Sequence, residues 1–216
     1  MNTKFFTVML VAVLTANVAQ AQFHIGMRTG LNVSSMYGKT IPVITDGPGV
    51  SGRIGIQIGA VGELAFGRVF ALQPGLLYSN AGYSSRSDEG TEESEMSYNL
   101  NYLHVPLNAL IKLPLGRRAN LFLSFGPYAG YAINGKYKLE MMVDKKVVNT
   151  EKSDVNFGSD ALKRFDAGAG FGLGCQAGAV QVDLGMTLGL MNIHNVTGYD
   201  MKNNNIALTV SYFFGK

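Results

Sequence analysis

Three histidines and one cysteine are the residues of this chain best suited to catalysis or metal binding. His24, His104 and His194 lie far apart, and none has the spacing of a metal site or belongs to a nucleophile motif. His104 falls on the polar face of a predicted strand, which favours a hydrogen-bonding role inside the fold. His194 falls in a predicted loop without an identifiable serine or acidic partner, so a hydrolase is the least favoured hypothesis. Cys175 has no second cysteine with which to form a disulfide. We therefore predict no enzyme activity, no catalytic residue, no metal ligand and no cofactor.

Charged residues in strand interiors are the second group that could do chemistry. They interrupt strand faces made otherwise of glycine, serine, threonine, asparagine and glutamine, so we predict that they point into the middle of the fold. Unpaired charges in a narrow interior are costly, so opposite signs should pair into a structural plug. A proton or ion path is the alternative. The cluster comprises Arg28, Glu63, Lys112 and Asp183 in one half of the fold and Arg53 and Asp166 in the other.

The elements that position these charges are eight segments in which apolar and polar residues alternate. A period of two is typical of a strand between unlike environments. In the last segment, apolar residues from Ile206 to Phe214 alternate with Ala207, Thr209 and Ser211, and we expect this strand to pair with the first. Long and short connections alternate along the chain, which indicates an antiparallel up-and-down barrel. The predicted strands span residues 23–33, 51–63, 69–80, 98–112, 120–134, 163–176, 179–190 and 206–214.

Two of the long connections have features of their own. Within the connection 81–97, residues 88–95 are strongly acidic but lack the spacing of a calcium loop, so we expect a solvated loop. Residues 135–162 contain two extended stretches, 137–143 and 147–150, and we predict a hairpin that extends past the main sheet. This connection mixes lysines with acidic residues, and loops carry function more often than scaffolds do. We expect contacts with partner proteins here first.

The orientation of the two strand faces decides between a membrane barrel and a soluble barrel. The chain is 47% hydrophobic and only 15% charged, with 27 glycines among its 216 residues. The polar face is too small and too neutral for an exterior in water, whereas the apolar face is continuous and nearly uncharged. We therefore predict an all-β, eight-stranded antiparallel transmembrane barrel with its apolar face in lipid and its lumen filled by side chains. A lipocalin-like soluble barrel is the alternative.

The first 21 residues have the features of a secretory signal peptide. Lys4 precedes a short apolar run, and Ala19-Gln20-Ala21 forms a cleavage site, so we expect the barrel domain to span residues 22–216. The run is too short for a spanning helix, and an uncleaved anchor is the alternative. We expect an outer membrane location with both termini in the periplasm. Net charge is only +3 and the basic residues are scattered, so we expect no nucleic-acid partner.

Four short motifs of the predicted strands occur in a specific order. The motifs are Gly26-x-x-x-Gly30-Leu31-Asn32-x-Ser34, Leu72-Gln73-Pro74-Gly75-Leu76-Leu77-Tyr78-Ser79, Tyr102-Leu103-x-x-Pro106-Leu107 and Phe165-Asp166-x-Gly168. They resemble, in the same order, the first, third, fourth and sixth strands of the PorT-like outer membrane β-barrel family of Bacteroidota. Gly75 stands where the family often has a glutamate, so the lumen charges of relatives do not transfer. The resemblance implies an outer membrane barrel and, for a minority of members, a role in protein secretion.

The function expected from these observations is that of an integral outer membrane protein with a structural or interaction role exercised through its outer loops. A subunit of a protein secretion or envelope assembly is the first alternative, with Arg117 and Arg118 in a short turn available to a periplasmic partner. A narrow small-solute channel is the second. The expected partners are outer membrane lipids and lipopolysaccharide, with envelope or secretion proteins as further candidates.

Overall fold

The computed structural model describes residues 22–38, 50–89, 92–116, 118–143, 146–155, 157–158, 162–195, 198 and 200–216. The predicted signal peptide and parts of the predicted loops lie outside these ranges. Within them, no helix is long and apolar enough to cross a membrane. The strands of the described residues are β1 (Gln22–Tyr37), β2 (Val50–Phe66), β3 (Phe70–Glu89), β4 (Glu92–Leu115), β5 (Ala119–Val143), β6 (Lys146–Asp154), β7 (Phe165–Ala177), β8 (Val180–Gly189) and β9 (Lys202–Phe213).

Eight of these strands form a closed antiparallel ring. Neighbouring strands pair in the order β1-β2-β3-β4-β5-β7-β8-β9, and β9 returns to β1 along a register from Gly26 opposite Phe213 to Tyr37 opposite Lys202. The predicted eight-stranded barrel is confirmed, including the pairing of the last strand with the first. Closure leaves the ring without a free edge, which is what a sheet surrounded by hydrocarbon requires.

The two ends of the barrel differ in how the strands are connected. At one end, here named the turn end, short turns join β2 to β3, β4 to β5 and β7 to β8. Gly67 and Gly178 adopt φ values of 72° and 57° in two of these turns, a conformation that other residues adopt only at a steric cost. The remaining connections lie at the opposite end, here named the loop end.

Alternation along each strand separates an outward apolar face from an inward polar face. On β9, Ile206, Leu208 and Val210 are 49%, 56% and 46% exposed, whereas Thr209 and Ser211 are buried. Large exposed apolar side chains continue in this way around the ring. A bacterial barrel presents such side chains to lipid in a band about 25 Å tall. The predicted orientation, with apolar side chains outside and small polar ones inside, is the one observed.

Glycines on the inward face make room for bulky side chains from neighbouring strands. Gly174 on β7 lies opposite Phe122 on β5, and an added Cβ on Gly174 would lie 2.5 Å from Cζ of Phe122. Phe122 is buried against Ala71 and Leu110 inside the ring. The aromatic ring therefore occupies the space that a side chain at position 174 would need, and the lumen at this level is filled.

Strands β3, β4 and β5 continue beyond the ring at the loop end, where β6 joins them by pairing with β5. The described residues of 80–101 and 134–154 are here named the outer extension. The predicted hairpin within residues 135–162 is confirmed. The predicted loop at 81–97 is wrong, because β3 runs to Glu89 and β4 starts at Glu92. A strand that extends beyond the bilayer has no face in lipid, so the apolar alternation ends there. The backbone pairing between the strands continues nevertheless.

Two loop segments fold back over the loop end and cover it with apolar side chains. Leu162, Ile193 and Met201 come from these segments and are buried against Leu100 and Tyr102 of β4. The backbone N–H of Ile193 donates to the carbonyl oxygen of Met201 at 2.8 Å. We name these segments, residues 155–164 and 190–201 as far as they are described, the apolar lid. The sequence does not predict it, because its apolar residues are isolated and follow no period.

Candidate functional site

The turn end of the lumen is closed by a buried cluster centred on Glu63 of β2. Glu63 is 0% exposed and accepts a hydrogen bond from Nζ of Lys112 at 2.8 Å. Gln176 donates to the same carboxylate at 3.3 Å, and its own carbonyl oxygen accepts from Lys112 at 3.1 Å. Lys216 also reaches the carboxylate, and its Nζ lies 5.2 Å from the ring centre of Phe213. Charges that burial would penalise are thus compensated by opposite charges and hydrogen bonds.

A second polar layer, centred on Arg28 of β1, lies further from the turn end. Arg28 donates through Nε to Oγ of Ser211 at 2.8 Å and through Nη2 to Oε1 of Gln73 at 2.6 Å. Gln73 in turn donates to Oε1 of Gln181 at 3.1 Å. All four side chains are buried. They come from β1, β3, β8 and β9, so the layer spans the lumen with hydrogen-bonded groups.

A small cavity of about 70 Å³, lined by both polar and apolar side chains, lies in the middle of the lumen. Arg28 and Asp183 both line it, and they attract each other without a direct ion pair in the described part of the chain. Oγ1 of Thr209, which also lines the cavity, is buried without a hydrogen-bond partner among the same residues. A cavity of this size has room for a few water molecules, which can bridge such groups. Ligand pockets have volumes of about 300–1,000 Å³, so this cavity is a place for water.

The loop-end half of the lumen contains Asp166, which has no basic partner among the described residues. Its Oδ2 accepts hydrogen bonds from the hydroxyl of Tyr128 at 3.1 Å and from Nδ2 of Asn203 at 2.9 Å. Nδ2 of Asn203 also donates to the hydroxyl of Tyr102 at 3.2 Å. The expectation that lumen charges pair with opposite charges is therefore wrong for Asp166. Neutral donors on β5 and β9 surround it instead.

The three histidines lie in separate places. His104 lies in the lumen, where its ring centroid is 5.4 Å from that of Tyr102 and 5.3 Å from that of Tyr128. The contacts observed for His104 are thus aromatic, whereas the sequence analysis predicted a hydrogen-bonding role. His24 lies near the turn end, opposite Glu63 in the β1–β2 register, and His194 belongs to the apolar lid. In the ranges that the structure covers, no group of three His, Cys, Asp or Glu residues is arranged to hold a metal ion.

Arg53 lies apart from the other predicted lumen charges. It is half-buried at the loop end and lines an open cavity of about 570 Å³, here named the vestibule, most of which is formed by the outer extension. The other five predicted charges are 0–8% exposed inside the ring. The charged residues that line the vestibule are Arg53, Glu95, Lys136, Lys138, Glu140, Lys152 and Asp154.

Neutral polar residues are the part of the lumen that the sequence analysis missed. Gln73, Gln176, Asn203 and Ser211 provide most of the hydrogen bonds to the buried charges, and Gln181 holds Gln73 in place. Their only sequence signal is their position on the inward face of a strand. Glutamine and asparagine in mid-strand, on the face that also carries charges, mark such partners.

Replacing Arg28 with alanine is expected to destabilise the barrel without opening a wide pore. Gln73 and Ser211 would lose their charged donor, and each buried group left unsatisfied costs about 1–3 kcal/mol. The Glu63 cluster would still close the turn end. Urea unfolding in lipid vesicles measures the loss of stability, with the exposed Arg68→Ala as control, and planar bilayer recordings measure conductance. A large conductance in either the unmodified protein or R28A would contradict the filled lumen.

A closed antiparallel ring with an apolar exterior, a lumen filled by side chains and long strands at one end defines an outer membrane β-barrel protein. The family model described as "Outer membrane protein beta-barrel domain" matches residues 16–195, and the chain belongs to this family. Membership of the family indicates an outer membrane location.

Solved structures with a similar fold come from several bacteria. The attachment invasion locus protein Ail of Yersinia pestis is 13% identical, with 89% of this chain and 99% of that chain covered and a TM-score of 0.42. Neisserial surface protein A is 10% identical, with 89% and 97% covered and a TM-score of 0.43. The N-terminal barrel domain of Pseudomonas aeruginosa OprF is 9% identical, with 90% and 100% covered and a TM-score of 0.36. No curated protein matches the chain.

Proposed function

We propose that this is an integral, non-enzymatic outer membrane protein that acts through its outer extension in a structural or interaction role. In this proposal the turn end and both termini lie in the periplasm and the outer extension lies outside the cell, as in bacterial barrels with short periplasmic turns. Outer membrane lipids and lipopolysaccharide surround the apolar face. The PorT-like motifs support a narrower place within the β-barrel family.

The observation that carries this proposal is a filled lumen combined with a tall outer extension. The Glu63 cluster and the Arg28 layer occupy one half of the lumen, and the apolar lid covers the loop end, which argues against a solute channel. In contrast, β4 and β5 contain 24 and 25 residues, whereas a tilted strand needs only about 9–11 residues to cross a bilayer. The excess length provides surface outside the membrane, where a partner can reach it.

Strand β6 gives the outer extension a surface that suits protein contacts. In the described residues it pairs with β5 alone. Its Val147 and Val148 are 54% and 63% exposed. An unpaired strand edge is a template for an extended segment of another protein, and exposed apolar residues add to such an interface. Both features support an interaction role over a purely structural one.

A subunit of a secretion or envelope assembly is the second candidate, and a different surface favours it. Arg68 and Arg118 lie in adjacent turns at the turn end, and Nη2 of Arg68 donates to the carbonyl oxygen of Gly116 at 3.4 Å. These two cations form a basic patch on the side that faces the periplasm in our proposal. An acidic surface of a periplasmic protein would complement it.

Crosslinking and capture from native membranes tests the proposal. Lys136 and Asp154 lie directly opposite each other, so joining them through Asn-Gly removes residues 137–153 and leaves a two-residue hairpin turn. We expect this variant to lose the captured partners and Arg68→Ala/Arg118→Ala to retain them. The reverse pattern would favour the envelope assembly, and retention by both variants would contradict both candidates. A heat-dependent gel shift verifies that each variant is folded.

A further inference from the structure

Three strands of the outer extension form a polar ladder along the vestibule. Lys138 on β5 lies directly opposite Ser97 on β4 and Lys152 on β6. In the next rung, Lys136 on β5 lies opposite Asp154 on β6. Cβ atoms of directly opposite residues are about 4.5–5.5 Å apart in antiparallel pairs. The ladder therefore brings the lysines of β5 and β6 close together on the side that lines the vestibule.

Arg53 adds a cation from β2 to this ladder. Gly82 on β3 lies opposite Asn99 on β4, and Asn99 lies opposite Lys136 on β5. An added Cβ on Gly82 would lie 3.1 Å from Cδ of Arg53. The side chain of Arg53 therefore packs over Gly82, beside the rung that contains Lys136.

Two of the three acidic side chains in the vestibule are already engaged. Oε2 of Glu140 lies 2.7 Å from Nζ of Lys138 on the same strand. Oε1 of Glu95 accepts a hydrogen bond from Oγ of Ser84 at 2.9 Å. Both carboxylates therefore have partners within the outer extension.

The lining of the vestibule has four cations, Arg53, Lys136, Lys138 and Lys152, and three carboxylates, so its net charge is positive. Across the described residues, Arg53, Lys136 and Lys152 form no ion pair, and Asp154 is the one acid of the lining left unpaired. Lys152 also lies directly opposite Lys138, and like charges in this position destabilise a sheet. An anion placed between these side chains would remove that repulsion, so the arrangement suits binding better than stability.

We propose that the vestibule binds a saccharide carrying two phosphate groups, held by Arg53, Lys136 and Lys152. Guanidinium and ammonium groups form strong charge-assisted hydrogen bonds with phosphate. Ser97 and Asn99 provide neutral polar groups for sugar hydroxyls, and the volume of about 570 Å³ lies within the range of about 300–1,000 Å³ found for ligand pockets. The inference rests on the proposed function, since it names a ligand for the outer extension. Lipopolysaccharide and free sugar phosphates share this chemistry.

Isothermal titration of the folded full-length protein in detergent micelles with glucose 1,6-bisphosphate tests the proposal. We expect binding that added salt weakens, and no comparable binding of glucose. K136A/K152A should weaken the affinity about tenfold or more, because two charge-assisted contacts are lost. D154N should bind more tightly, because it removes the acid that competes with the phosphates. Lys202→Ala is the matched control, since Lys202 pairs with Asp200 at 3.5 Å outside the vestibule.

The outcomes separate the ligand source from the proposal itself. Competition by intact but not by dephosphorylated lipopolysaccharide identifies a lipid-borne ligand, and the absence of competition identifies a free sugar phosphate. Equal binding of the bisphosphate by K136A/K152A and the unmodified protein, or binding no stronger than that of glucose, would overturn the inference. If partner capture through the outer extension persists in that case, only this inference fails. If capture fails while bisphosphate binding depends on the lysines, the proposed partner role fails instead.

Discussion

Replacing Glu63 with alanine is expected to lower the free energy of unfolding by about 3–5 kcal/mol, the range for removing one partner of a buried ion pair. The carboxylate neutralises both Lys112 and Lys216 and accepts a hydrogen bond from Gln176. Without it, two ammonium groups would face each other at the turn end with no counter-charge. Urea unfolding in lipid vesicles, followed by the heat-dependent gel shift, measures the loss.

Two further variants show whether this effect comes from burial. Glu140→Ala removes an ion pair of similar length, 2.7 Å, in the water-exposed outer extension, where such a pair contributes about 0–1 kcal/mol. Glu63→Leu combined with Lys112→Met should recover much of the stability, because apolar residues of similar volume often replace a buried pair without loss. A change of less than 1 kcal/mol in E63A would mean that the cluster does not stabilise the barrel.

Replacing Ile193 with aspartate is expected to detach the apolar lid while the ring stays folded. Ile193 is 0% exposed at the centre of the lid. Loss of a buried isoleucine side chain costs about 2–5 kcal/mol, and an unpaired buried carboxylate adds to that cost. The lid segments lie outside the strands of the ring, so the lid should open locally rather than unfold the barrel. Limited trypsin digestion at Lys163 and Arg164, mapped by mass spectrometry, should become at least tenfold faster.

The control for this prediction is Val148→Asp, which introduces the same charge at a site that is 63% exposed. It should leave the rate of digestion at Lys163 and Arg164 unchanged. Conductance of I193D should stay small, because the Arg28 layer still spans the lumen. A digestion rate of I193D equal to that of the unmodified protein would mean that other contacts hold the lid in place.

The barrel itself could be predicted from the sequence because lipid and lumen are unlike environments. Five of the six alternate residues from Phe23 to Val33, and all four from Ile206 to Tyr212, are apolar or aromatic for this reason. A period of two is typical of a strand that crosses the bilayer. The same criterion fails at residues 81–97, where the apolar alternation ends although β3 and β4 stay paired. It also fails at the apolar lid, because Leu162, Ile193 and Met201 come together only through tertiary packing.

The lumen shows a second limit of sequence reasoning. Alternation identifies Arg28 and Asp166 as inward residues, but their partners depend on the register of strands that are distant in sequence. Gln73 follows Arg28 by 45 positions, and Asn203 follows Asp166 by 37. The alternation of apolar and polar residues within one strand does not indicate which residue 45 or 37 positions away will become the hydrogen-bonding partner. The hydrogen-bonding partners of the buried charges therefore had to come from the structure.

The seam between β1 and β9 has a consequence for how the protein is made. Gly26 is paired there with Phe213, so the barrel cannot close until β9 has been synthesised and reaches β1. The β7–β8 hairpin can form early because its paired residues are close in sequence, whereas contacts between residues distant in sequence form slowly. A nascent chain that still lacks β9 has two unpaired strand edges, and lipid acyl chains cannot form hydrogen bonds with their backbone N–H and C=O groups. We therefore expect other proteins to cover these strand edges while the barrel inserts.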